Sequence, residues 1–161
     1  KYDLIILRHV LEHFLFPIKA LKTIRNLLKP NGILYIAVPD MMHPRGSLRY
    51  YWFRSVHTFY FSEPTLLKIV SKGGLSELKV CSENNELWGL FKKSTIKHNL
   101  LDIPNIYVEQ LNKIKKYRRN NYHLDIMGYI KQTIMQSLPK QIRHYLREKY
   151  IKLKKVKLKN C

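Results

Sequence analysis

Three side chains near the start of the chain have types and spacing suited to chemistry: His9, Glu12 and His13 spell H-x-x-E-H. Neutral imidazole and carboxylate together make a donor set for zinc or a similar transition metal. The same imidazoles titrate near neutrality, which suits them to general-base work. A zinc-binding helix can carry this spacing, but an apolar run ends at Leu7 and Pro17 follows soon after, leaving little room for a full helix. The plainer alternative is that these groups line a pocket, cap the next helix, or are hydrogen-bonded structural histidines. His57 stands further along, in a stretch crowded with rings and cations. Tyr50, Tyr51, Trp52, Phe53, Phe59, Tyr60 and Phe61 lie there, with Arg45, Arg49 and Arg54 interleaved. Aromatic faces stack on sugars, bases or other rings, and guanidinium groups hold phosphate or carboxylate with two bonds. Loop residues packing over a sheet account for the same composition equally well.

The elements around these residues read as an α/β pattern. Tyr2–Leu7 is a short run of β-formers of the kind buried on both faces in a parallel sheet. Pro17 starts a helix in which Ile18, Leu21, Ile24, Leu27 and Leu28 recur at helical spacing, with Lys19, Lys22, Arg25 and Asn26 opposite. Pro30-Asn31-Gly32 stops it and turns the chain into a second apolar strand, Ile33–Val38. Strand, helix and strand with short links make a βαβ unit. The long loop 40–61 then falls where open α/β sheets bind ligands, outside the carboxyl ends of the strands. Ser62 is the N-cap of a helix that ends at Gly73-Gly74, and two strands, Leu75–Cys81 and Glu86–Phe91, flank a turn at Glu83-Asn84-Asn85.

These pieces, in this order, resemble the second half of a class I S-adenosylmethionine-dependent methyltransferase. The run YDLIILRHVLEHFLFPIKALKTIRNLLKPNGILYIAVPD is similar to the family's fourth strand with its HVLEH-type ending, the following helix and turn, and the fifth strand closed by proline. VHTFYFSEPTLLKIVSKGGLSELKV is similar to a later helix-and-strand segment, with His57, Phe61, Ser62, Leu66 and Gly74 at matching places. The resemblance covers about residues 1–91. It implies a partial Rossmann-like sheet of strands 4-5-7-6 and S-adenosylmethionine as methyl donor. Asn31-Gly32 replaces the family's Gly-Gly turn and is expected to supply a positive-φ pair. No glycine-rich phosphate or nucleotide loop occurs in the sequence, so the chain reads as a fragment whose cofactor half lies upstream of Lys1.

The resemblance also assigns roles. Leu7, Arg8 and His9, at the end of the fourth strand, face the donor's methionine end. His9, His13 and His57 are the base candidates for an acceptor hydroxyl. Some relatives bind a divalent metal at a similar E-x-x-E-H spot; carried over, the ligands are Glu12, His13 and His57, and the imidazoles there weigh against magnesium. Pocket-lining without metal is the favoured expectation.

The remaining residues differ in character. Residues 1–91 hold 12 basic and 7 acidic residues, whereas residues 92–161 hold 18 and 4. The domain organisation expected is a methyltransferase half over 1–93 and a basic, mainly helical extension over 94–161, with helices at 106–117, 122–138 and from Ile142 to about Leu153. In 139–161 apolar residues alternate with Lys and Arg, a pattern suited to peripheral contact with an anionic membrane. No RNP, zinc-finger or KH-type pattern supports nucleic acid as the partner. Two cysteines point to a reducing, cytoplasmic setting. Together these features predict methyl transfer to a hydroxyl of a glycan or small molecule. The alternative is a non-catalytic basic binding module that keeps half of the fold.

Overall fold

The computed structural model describes residues 1–94, 106–146, 148 and 149. Its centre is a four-stranded sheet of β1 (Tyr2–Arg8), β2 (Leu28–Pro39), β4 (Glu86–Lys93) and β3 (Leu75–Glu83), in that spatial order. β1 and β2 run parallel, and β4 runs antiparallel to both β2 and β3. This is the 4-5-7-6 order implied by the resemblance. Two helices, α1 (Pro17–Leu27) and α2 (Glu63–Lys72), supply Leu21, Leu66 and Val70 to one core with Leu34, Ile36, Val38, Leu87 and Phe91 of the sheet. Ser62 caps α2, and its backbone N–H donates to Thr65 Oγ1 at 2.9 Å.

Four local expectations need correction. β1 is buried on one face only: Leu7 is buried, while Tyr2, Leu4 and Ile6 are more than half exposed. The strand lies at the sheet edge, and no described element covers its second face. Pro30-Asn31-Gly32 is not a turn but a bulge inside β2. Tyr2 pairs with Leu28 and Leu4 with Ile33, so two steps of β1 span five of β2. Asn31 and Gly32 are accordingly not a positive-φ pair. Glycine is required at 32 for proximity instead, since a Cβ there would sit 2.7 Å from the Tyr2 carbonyl oxygen. Finally, Leu27 is exposed, and Arg25 is not simply solvated: its Nε donates to the Gly74 carbonyl at 2.8 Å, tying α1 to the end of α2.

α3 (Ile106–Asn120) and α4 (Tyr122–Ser137) follow, and neither contains a fully buried residue. They meet the sheet region through the loop after β2. Ser47 Oγ donates to Asp125 at 2.6 Å and Tyr117 to the Gly46 carbonyl at 3.0 Å. Gly128 lets α4 approach Tyr50, where a Cβ would lie 2.7 Å from the ring. Ile126, Tyr129, Ile130 and Ile134 form an apolar stripe on α4, and each stays substantially exposed. Helical backbone resumes at 140–146; most of the basic tail lies outside the described residues.

Candidate active site

The carboxyl end of β1 creates the site. After Arg8, His9 adopts φ 53°, a left-handed conformation uncommon for any residue but glycine and found often at functional positions. Its N–H still donates to the Ala37 carbonyl at 2.9 Å, so the turn begins from a fixed point on β2. Leu11, fully buried, anchors a single tight turn at Leu11–His13 and carries Glu12 inward with it. The Glu12 carbonyl then accepts from the Thr58 and Phe59 N–H groups at 2.9 and 3.1 Å, which brings the loop bearing His57 over the turn.

The three candidate histidines and Glu12 therefore line one cleft of about 590 Å³, at the carboxyl ends of the two parallel strands. His13 Nδ1 lies 2.8 Å from the Val56 carbonyl. A carbonyl only accepts, so Nδ1 carries the proton and Nε2 keeps a lone pair in the neutral ring. That Nε2 is 3.9 Å from Glu12 Oε1. The His13 and His57 rings meet edge to face with centroids 4.9 Å apart. Burial lowers the His57 pKa below the ordinary imidazole value, with the Glu12 charge opposing the shift. His57 is thus held neutral near pH 7, with an available lone pair.

Glu12 is the anomaly. It is fully buried, and neither carboxylate oxygen has a hydrogen-bond partner among the described residues. The nearest imidazole nitrogens are His9 Nδ1 at 3.5 Å and His13 Nε2 at 3.9 Å, both long. A buried charge left this way costs several kcal/mol. His57 Nδ1 is likewise buried without a partner. One donor atom each from Glu12, His13 and His57 lies within 4.8 Å of the others, so the set fits a divalent transition metal.

Of the positions expected to contact the donor, Arg8 and His9 line the cleft, whereas Leu7 points into the hydrophobic core. Glu86 was not foreseen. Its carboxylate receives Arg8 Nε at 3.1 Å and stands 3.0 Å from His9 Nε2. The sheet order holds the signal, because the start of β4 must lie beside the end of β2. A second unforeseen cluster is Asp40, His43 and Ser82. Asp40 accepts from the Met42 N–H at 2.8 Å, from His43 Nδ1 at 2.8 Å and from Ser82 Oγ. It fastens β2 to β3 and leaves its carboxylate fully used.

No curated protein matches this chain at a significant level. Among solved structures, the chain is similar to the one described as the crystal structure analysis of LaPhzM, at 14% identity and a TM-score of 0.48. It is also similar to the mitomycin 7-O-methyltransferase MmcR, at 16% identity and a TM-score of 0.49. Each match covers 58% of this chain and 30% of the other, so the chain spans under a third of those proteins. Residues 1–80 match the sequence model of a family described as methyltransferase domain. That segment, with its β1-β2 parallel pair and the turn bearing His9, Glu12 and His13, is what the chain has in common with the methyltransferase-domain family.

Proposed function

We propose that the chain forms the acceptor side of an S-adenosylmethionine-dependent methyltransferase, acting on a hydroxyl of a glycan or small molecule in the cytoplasm. The observation that carries this reading is the convergence of His9, His13 and His57 on one cleft at the carboxyl ends of parallel strands. The donor, when bound, supplies an electrophilic sulfonium methyl group. The chain's own work is to orient an acceptor oxygen towards it and to receive the hydroxyl proton as the new C–O bond forms and the C–S electron pair returns to sulfur. His57, neutral and edge-on to His13, suits proton acceptance. Calorimetric titration of S-adenosylmethionine into the longest natural form of the protein containing this chain tests the reading. Saturable one-to-one binding supports it. Absence of binding, with retained affinity for polyanions, favours the basic binding module.

The orphaned Glu12 carboxylate favours a second element, a divalent ion held by Glu12, His13 and His57. As a Lewis acid it would lower the pKa of an acceptor hydroxyl. Zinc or manganese near one per chain, lost in Glu12→Gln, supports the ion; metal-free protein with chelator-insensitive activity removes it. We also propose peripheral contact of 139–161 with anionic membrane. Within its described part, Ile142, Tyr145 and Leu146 are exposed beside Lys140 and Arg143. No helix among the described residues is long and apolar enough to cross a bilayer. Co-sedimentation with phosphatidylserine vesicles should weaken on removing 139–161, and unchanged pelleting contradicts the idea.

A further inference from the structure

The cleft has an unbalanced rim. Three arginines line it, Arg8, Arg45 and Arg54, against two carboxylates, Glu12 and Glu86. Glu86 is committed to Arg8 and His9, and Glu12 is buried beneath the histidines. Arg45 and Arg54 therefore have no acidic partner among the described residues.

Neither is placed casually. Arg45 Nη2 donates to the Tyr51 hydroxyl at 2.9 Å, and its guanidinium carbon lies 5.6 Å from the centre of the Tyr51 ring. Arg54 sits on a segment pinned by Tyr60: the Arg54 N–H donates to Tyr60 Oη at 2.6 Å, and that hydroxyl donates back towards the Arg54 carbonyl at 3.2 Å. The Tyr60 ring is braced edge-on against Phe53 at 4.9 Å. Burial raises the Tyr60 pKa, which keeps the hydroxyl protonated for this role. The Arg45 guanidinium and the Arg54 backbone are thus held before any ligand arrives, which lowers part of the ordering cost of binding. Their forked donors match a carboxylate or a phosphate, and the Tyr51 ring beside them offers a stacking face.

We infer that the acceptor is anionic, carrying a carboxylate or phosphate group that Arg45 and Arg54 hold at the cleft rim while its hydroxyl faces the histidines. This rests on the methyltransferase reading and narrows its substrate class. Methyl β-D-glucuronide, glucose 1-phosphate and neutral methyl β-D-glucoside, titrated into the longest natural form of the protein at about 0.15 M salt, test it. At least one anionic probe should bind tenfold or more tightly than the neutral one, and the stronger arm identifies carboxylate or phosphate. Arg45→Gln and Arg54→Gln should each weaken that probe about tenfold, the size of a lost charge-assisted bond. Arg119→Gln on exposed α3 should leave it unchanged. Equal binding of all probes, no binding by any, or anion binding indifferent to Arg45 and Arg54 overturns the inference. S-adenosylmethionine titrated in parallel separates the two levels. Donor binding without anion preference removes the inference alone, whereas loss of donor binding removes the reading beneath it. Both arginines are exposed, so unchanged thermal unfolding of the variants is expected.

Discussion

The sheet region and the helical extension solve the same folding problem in opposite ways. In the sheet, apolar side chains from two helices and the strands close on one another, and a dozen or so are wholly withdrawn from water. In α3 and α4 no residue is fully buried, and the apolar stripe of α4 stays substantially exposed. What holds the extension is a thin seam: hydrogen bonds of Ser47 to Asp125, Tyr117 to Gly46 and Gln110 to Ser62, and the Tyr50 ring against Gly128 and Tyr129. The region with the core can carry strain, and it does, in the left-handed backbone of His9 and in the buried Glu12 carboxylate without a hydrogen bond. The described residues of the region without one carry charge and exposed rings but no such backbone or buried carboxylate, so the candidate active site lies on the former.

The largest expected effect comes from cutting the core. Phe91→Ala, at a fully buried position, should cost about 3–5 kcal/mol in urea unfolding. A cost below about 1 kcal/mol would put the two regions on a par. Next is the seam between them. Gly128→Val pushes a side chain into Tyr50 and should cost about 1–3 kcal/mol. Helical circular dichroism and proteolysis of the extension should report the loss, while the sheet keeps its own unfolding transition. A single merged transition, lowered throughout, would show that the seam is part of one cooperative unit.

The third effect is a pH dependence. The folded-state pKa of His57 lies below its unfolded value, so the unfolded chain takes up more protons as pH falls through the ordinary imidazole range. Stability from this group is complete above about pH 6.5 and drains away towards lower pH. His57→Asn should flatten that part of the stability profile, and an unchanged slope would place the titration elsewhere. The smallest effect is Ile130→Ser on the outward stripe of α4, which should stay within about 0.5 kcal/mol. A larger loss in the intact protein would mean that the stripe is covered by something.

The sequence showed the strands and helices of the sheet region because their apolar runs are bounded by Pro17, Pro39 and Gly73-Gly74, and the order 4-5-7-6 followed from resemblance. It hid the bulge at Pro30-Asn31-Gly32, because the same three residues write a turn unless the close approach of Tyr2 is known. It could not show that β1 is half exposed, since an apolar run looks alike whether its second face is covered or bare. In the site, His9, Glu12, His13 and His57 were legible by type. Their convergence was not, for it depends on the Glu12 carbonyl catching Thr58 and Phe59 across a loop without periodicity. Glu86 was invisible for the same reason: it reaches Arg8 and His9 only through strand order.

The central claim is that this histidine cluster serves methyl transfer. Transfer from methyl-tritiated S-adenosylmethionine to the protein's acceptor fraction, by the longest natural form with His9, His13 and His57 replaced singly by Asn, tests it most directly. At least one replacement should lower kcat a hundredfold or more, with donor affinity within a factor of about three, as removal of a general base does. Undiminished transfer by all three variants would contradict it.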